Sequence, residues 1–214
     1  MKKVILFDLD GTLIDSTDAI VKCFYHSFNE LKFEFSGNTK DIVNEIGYPL
    51  DVMYATLGVP KDKVWDFVDS YKKEYRKISI DMTTLLPDAI ASVKLASTFA
   101  RLAIVTTKTT QFSIPLLEHM GIMKYFEVII GRQEVQNPKP HPEPVLKALE
   151  AMNLEPNLNI YMVGDTKLDL IAGNEAGVST VGVLCGYGKK DDLLNYTSNV
   201  KENSLEAVRL IQSF

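Results

Sequence analysis

Short, nearly unbroken apolar runs recur along this chain, at residues 4–7, 102–106, 126–130, 160–163 and 180–184. None of them alternates apolar with polar positions, as a strand with one wet face would. Continuous runs of this length fit strands buried on both faces of a parallel sheet. Between them lie stretches with apolar residues at helical spacing, at about 88–99, 110–120, 142–152, 167–176 and 204–211. Gly121 and Gly177 stand where a glycine would end a helix. Pro142 and Pro144 suit a helix's first turn. Strand and helix in alternation predict an α/β core, a parallel sheet covered by helices.

The alternation fails between about Ser16 and Leu86. There the pattern is helix after helix, at residues 19–31, 41–46, 52–57 and 64–78, broken by the turn signals Gly47-Tyr48-Pro49 and Gly58-Val59-Pro60. Trp65, Phe67 and Tyr71 read as apolar core of this stretch. The predicted organisation is a core made of residues 1–15 and 82–214, with a helical insertion at 16–81.

Composition narrows the class without naming a function. The 214 residues are 46% hydrophobic and 24% charged, which suits a folded globular chain. A net charge of −5 argues against a nucleic-acid partner, which would need a basic face. The uncharged run at 176–188 is too short and too glycine-rich to cross a bilayer, and no secretory signal is expected at the start. Cys23 and Cys185 match no disulfide or metal spacing, so both read as reduced thiols of a cytoplasmic protein.

Chemistry concentrates where strands end. The first run closes in Phe7-Asp8-Leu9-Asp10-Gly11-Thr12-Leu13. In a doubly wound sheet, ligands sit outside the carboxyl ends of the strands. Two carboxylates there repel each other, and a hard divalent cation such as Mg²⁺ relieves the repulsion. The alternative is that one aspartate caps a turn while the other is solvated. A second acidic pair, Asp165 and Asp169, follows the run at 160–163. It reads either as further metal-binding carboxylates or as helix capping by Asp165 with Asp169 favouring the helix start. Thr106-Thr107-Lys108 puts hydroxyls at another strand end, although Thr109 fits a helix cap better. Lys139, in Asn137-Pro138-Lys139-Pro140-His141-Pro142, is a lysine in a loop stiffened by prolines, suited to a phosphoryl group or simply to solvent.

Taken in order, these segments resemble the four motifs of the haloacid dehalogenase-type phosphohydrolase superfamily, and most resemble its phosphoglycolate phosphatase-like subgroup. Asp8-Leu9-Asp10-Gly11-Thr12 matches the first motif, Thr106 the second, Lys139 the third and Gly164-Asp165-Thr166-Lys167-Leu168-Asp169 the fourth. Thr107 departs from the asparagine frequent in that subgroup. The resemblance implies a Rossmann-like three-layer core with an inserted helical cap. It implies Asp8 as nucleophile, forming an aspartyl-phosphate, and Asp10 as acid and then base. Thr106, Thr107, Lys139, Gly11 and Thr12 would meet the substrate phosphate. Asp8, Asp10, Asp165 and Asp169 would hold Mg²⁺, Asp10 through its backbone carbonyl. The implied activity is hydrolysis of a small phosphorylated metabolite, 2-phosphoglycolate first. Alternatives are pyrophosphate, a sugar phosphate, a β-phosphoglucomutase reaction or a non-catalytic binding module. No nucleic-acid or membrane partner is expected, and the chain is expected to act as a monomer or weak homodimer.

Overall fold

The computed structural model describes residues 2–214. Its strands are β1 (Lys3–Phe7), β2 (Ile14–Asp15), β3 (Thr84–Leu85), β4 (Ala100–Val105), β5 (Val128–Ile130), β6 (Ile160–Gly164), β7 (Ser179–Val183) and β8 (Val200–Lys201). Its helices are α1 (Thr17–Glu30), α2 (Thr39–Asn44), α3 (Leu50–Thr56), α4 (Val64–Ile78), α5 (Ala89–Phe99), α6 (Thr110–His119), α7 (Glu143–Ala151), α8 (Lys167–Glu175), α9 (Lys190–Leu193) and α10 (Ser204–Ser213). The chain forms two compact units. One contains the residues up to Asp15 together with Thr84–Phe214, and the other is Ser16–Thr83.

In the first unit, six strands form one parallel sheet in the order β5-β4-β1-β6-β7-β8. Alternate residues of β1 leave on opposite faces. Ile5 and Phe7 join Val93 of α5, Leu116 of α6 and Val208 of α10 in one core. Val4 and Leu6 join Val145 of α7 and Ala172 of α8 in another. Helices on both faces explain why the strands read as unbroken apolar runs. From β1 the chain builds outward to β4 and β5, then returns to β6 on the other side of β1. The β1/β6 seam is therefore the topological switch point, where a ligand crevice opens beyond the carboxyl ends of the strands.

Strand β2 pairs antiparallel with β3, Ile14 opposite Leu85 and Asp15 opposite Thr84, so the chain leaves this unit beside the point where it re-enters. Periodicity does not announce β2, β3 or β8, because two residues carry no period. Among the described residues, no helix is long and apolar enough to cross a membrane, and neither cysteine is in a disulfide.

The second unit is helical and built on aromatic rings. Phe24 packs on Tyr54 with ring centroids 4.4 Å apart, Phe67 lies 5.5 Å from Tyr54, and Tyr71 stacks on Tyr75 at 5.4 Å. The Tyr54 hydroxyl is fully buried and shares a 2.7 Å hydrogen bond with Ser27. Burial drives its pKa far upward. One expectation is corrected here. Phe67 and Tyr71 are core, but Trp65 is 61% exposed. It lies two positions before Phe67, about 200° around a helix, and so faces away from the stripe that Phe67, Tyr71 and Tyr75 share.

Candidate active site

The site starts where β1 stops. Beyond Phe7 the backbone folds into a tight loop in which the Leu9 carbonyl accepts the N–H groups of Thr12, Leu13 and Ile14 at 3.3, 2.9 and 3.0 Å. Gly11 makes the turn possible with φ +79°. Leu9 is buried in the core between its two neighbours, which turns Asp8 and Asp10 away from it beyond the carboxyl end of β1. Asp8 is also tied to the adjoining strand, its N–H donating to the Val163 carbonyl at 2.9 Å.

Strand β6 brings the second pair alongside. Asp8, Asp165 and Asp169 each offer a carboxylate oxygen, and these atoms lie within 4.8 Å of one another, all three residues buried. Asp165 does not cap a helix. Its Oδ1 accepts from the Thr12 hydroxyl at 2.9 Å and its Oδ2 from the Tyr187 N–H at 2.8 Å. The cap of α8 is Thr166, in a reciprocal capping box with Asp169. Asp169 Oδ2 accepts from the Thr166 N–H at 3.0 Å and hydroxyl at 2.8 Å. Glycines wall in Asp165. A methyl added at Gly11 or Gly186 would overlap its carboxylate, and one at Gly188 would overlap its carbonyl.

Lys139 is the only ammonium in contact with this cluster among the described residues. It is 3% exposed. Its Nζ donates to the Val105 carbonyl at 3.0 Å and to Asp169 Oδ1 at 2.5 Å, and it lies 2.9 Å from Asp8 Oδ1. Two of the ammonium's three protons are thus committed, to Val105 and Asp169. Against three buried carboxylates it leaves two negative charges unmatched. Burial pushes Asp8 up to about 7, with Asp169 adding to the rise and Lys139 opposing it. Asp165 is raised well above the usual carboxylate range, first by burial and then by Asp169 and Asp8. Burial pulls Lys139 down, but Asp169 and Asp8 more than reverse this and leave it raised. Asp8 Oδ1 accepts no aligned hydrogen bond, its contact with Lys139 being one of charge. An all-oxygen cluster with surplus negative charge and an underused carboxylate fits a hard divalent cation such as Mg²⁺.

The chain's other candidate residues fall around this centre. Thr106, 4% exposed at the end of β4, accepts the Lys108 N–H at 3.1 Å on its Oγ1, so its own proton remains to be donated. Thr107 is half-buried in the same loop. Thr12 and Gly11 both lie against Asp165. Thr12 is fully buried with its hydroxyl committed, and Gly11 gives the carboxylate room. Thr109 occupies the N-cap of α6 as expected, yet its hydroxyl makes no capping bond. Sequence reasoning missed Lys108, whose Nζ lies 3.2 Å from Asp10 Oδ2 with only 7% of its side chain exposed. The local signal was a lysine at a strand end, which also describes an ordinary solvated charge.

The haloacid dehalogenase-like hydrolase family profile matches residues 5–183. Pyrophosphatase PpaX of Halalkalibacterium halodurans is 35% identical over 184 residues, covering 86% of this chain and 83% of that protein. Phosphoglycolate phosphatase of Shigella dysenteriae is 31% identical over 207 residues, covering 86% and 81%. The solved structure of a haloacid dehalogenase-like family hydrolase from Streptococcus pneumoniae, 31% identical, superposes with a TM-score of 0.87 over 99% of each chain.

Proposed function

The chain belongs to the haloacid dehalogenase-like hydrolase family, and from that premise we propose that it is a Mg²⁺-dependent phosphatase of small phosphorylated metabolites, 2-phosphoglycolate first among them. One observation carries the reading: the β1/β6 seam gathers Asp8, Asp165 and Asp169 around the single ammonium of Lys139.

Asp8 is the nucleophile. Its carboxylate oxygen forms a bond to phosphorus as the bond from phosphorus to the leaving oxygen breaks, giving an aspartyl-phosphate. Asp10 gives its proton to that leaving oxygen, then takes one from the water that hydrolyses the acyl phosphate. Thr106 donates its hydroxyl to a phosphoryl oxygen, and Lys139 holds Asp8 in place while opposing charge on the transferring group. Asp8, Asp165 and the backbone carbonyl of Asp10 would hold Mg²⁺, with Asp169 at one remove because its oxygens already serve Lys139 and Thr166. When bound, the ion supplies the charge neutralisation that lets an anion attack an anion. Cys23 and Cys185, neither of them in a disulfide, support a cytoplasmic setting.

A second reading, hydrolysis of pyrophosphate, is favoured by the 35% identity to a pyrophosphatase. A panel of 2-phosphoglycolate, pyrophosphate and sugar phosphates, assayed with Mg²⁺, tests both. Phosphate release that vanishes in Asp8→Asn is the expected result. Equal release from that variant would refute the nucleophile. Conversion of β-glucose 1-phosphate without phosphate release would instead make the chain a mutase.

A further inference from the structure

The loop of residues 136–143 carries Lys139 inward while staying largely outside itself. Gln136, Asn137, Pro140 and His141 are exposed, yet Lys139 is 3% exposed. Burial therefore cannot dictate the shape of this loop. Pro138, Pro140 and Pro142 fix φ, but they also strip the segment of N–H donors that could tie it down.

The donors at the start of the loop, those of Gln136 and Asn137, converge on one side chain. Glu143 Oε1 accepts the Gln136 N–H at 2.8 Å, and Oε2 accepts the Asn137 N–H at 2.9 Å and the Asn137 side-chain amide at 3.0 Å. Glu143 is the last residue of the loop and the first of α7, so its carboxylate fastens one end of the loop to the other. Inside the turn, the His141 N–H donates to the Pro138 carbonyl at 3.0 Å, and the Glu143 N–H donates to His141 Nδ1 at 3.1 Å. Lys147, one helical turn on, lies 3.6 Å from Glu143 Oε1 and donates to the Glu134 carbonyl. The backbone donors of Gln136 and Asn137 hold the Glu143 carboxyl down, at about 2, and the start of a helix favours its charge.

We propose that Glu143 is a positioning residue for Lys139: its carboxylate clamps the 136–143 loop shut and fixes the direction from which the ammonium meets Asp8 and Asp169. A lysine stem has four rotatable carbons and its ammonium no directional fork, so its aim depends on where its backbone is held. The inference rests on the phosphatase reading only for its kinetic consequence.

Glu143→Gln is the informative change, because it keeps the shape but sets an NH₂ group against N–H donors. It should lower kcat about tenfold through misplacement at the reacting centre, with KM changed less than about twofold. In a Lys139→Met background the same substitution should cost nothing further, because what it positions is gone. A structural role unrelated to Lys139 would lower activity by the same factor in both backgrounds, and that result would overturn the proposal. A second measurement needs no catalysis: acetylation by acetic anhydride, read at Lys139 by mass spectrometry. Labelling of Lys139 should run about ten times faster in Glu143→Gln than in the wild type, as expected when a local opening is made easier. Unchanged labelling would also overturn the clamp. If the wild type releases no phosphate from any substrate, or Lys139→Met is inactive, the labelling result decides alone. Failure of the phosphatase reading thus stays separate from failure of the clamp.

Discussion

Asp10 and Lys108 form an ion pair whose oxygen and nitrogen lie 3.2 Å apart, with little of either side chain exposed. An acid that protonates a leaving oxygen matters most when that oxygen leaves as a strong base. Lys108 holds the Asp10 side chain in place, so Lys108→Met should cut kcat for alkyl phosphates by about tenfold through misplacement of that side chain, while p-nitrophenyl phosphate, whose leaving group needs little help, loses far less. Equal losses on both would argue against this role. Gly186 makes a second residue-scale case, since a methyl there would overlap the Asp165 carboxylate and the Gly11 carbonyl. Gly186→Ala should weaken Mg²⁺ activation about tenfold or more, the size of effect seen when the support of a metal ligand is disturbed. Titrating activity against Mg²⁺ checks it. Asp8, Asp10, Asp165 and Lys139 were legible because each breaks an apolar or proline-rich context that has no structural need of a charge. Lys108 was not, because what sets it apart is a partner, Asp10, that folding brings to it from the loop after β1.

At the scale of elements, helical period told α4 which face to bury but not which aromatic belonged to it. Phe67 is 2% exposed and ringed by Phe28, Phe33 and Tyr54. Phe67→Ala should cost about 3–5 kcal/mol through lost burial and an unfilled cavity. Trp65→Ser, on the opposite face, should move stability by no more than about 0.5 kcal/mol. Urea unfolding monitored by circular dichroism compares the two; similar costs would place Trp65 in the core after all. The start of α8 shows the same limit of local reading. Thr166-Lys167-Leu168-Asp169 has the spacing of a capping box, and the box is present. Its second task, holding Lys139 through the other oxygen of Asp169, requires a loop from elsewhere in the chain.

For the whole molecule, the gathered carboxylates couple stability to pH and to metal. Asp8 is raised to about 7 by burial, above its ordinary value of about 4. Its protonated form therefore favours the metal-free fold. That contribution is complete below about pH 4 and is lost as pH rises through about 7. Asp165, raised in the same sense by burial, adds to this loss as pH rises. Mg²⁺ held at the proposed site would bind the ionised carboxylates, so its stabilisation should grow as protons leave. The rise in melting temperature on adding millimolar Mg²⁺ should be clearly larger at pH 8 than at pH 5, by differential scanning fluorimetry. A gain that is the same at both would sink the shared cation site. The alternation of buried runs with helical stretches, and the acidic residues at strand ends, are properties of local order along the chain. Sequence alone therefore determined the α/β layers, the helical stretch between β1 and the later strands, and most of the residues that bear chemistry. Which carboxylate meets the ammonium, which hydroxyl orients Asp165, and which side chain braces the Lys139 loop were decided by tertiary structure. These are contacts between segments far apart in the chain, and their distances exist only once parallel strands have set β1 beside β6.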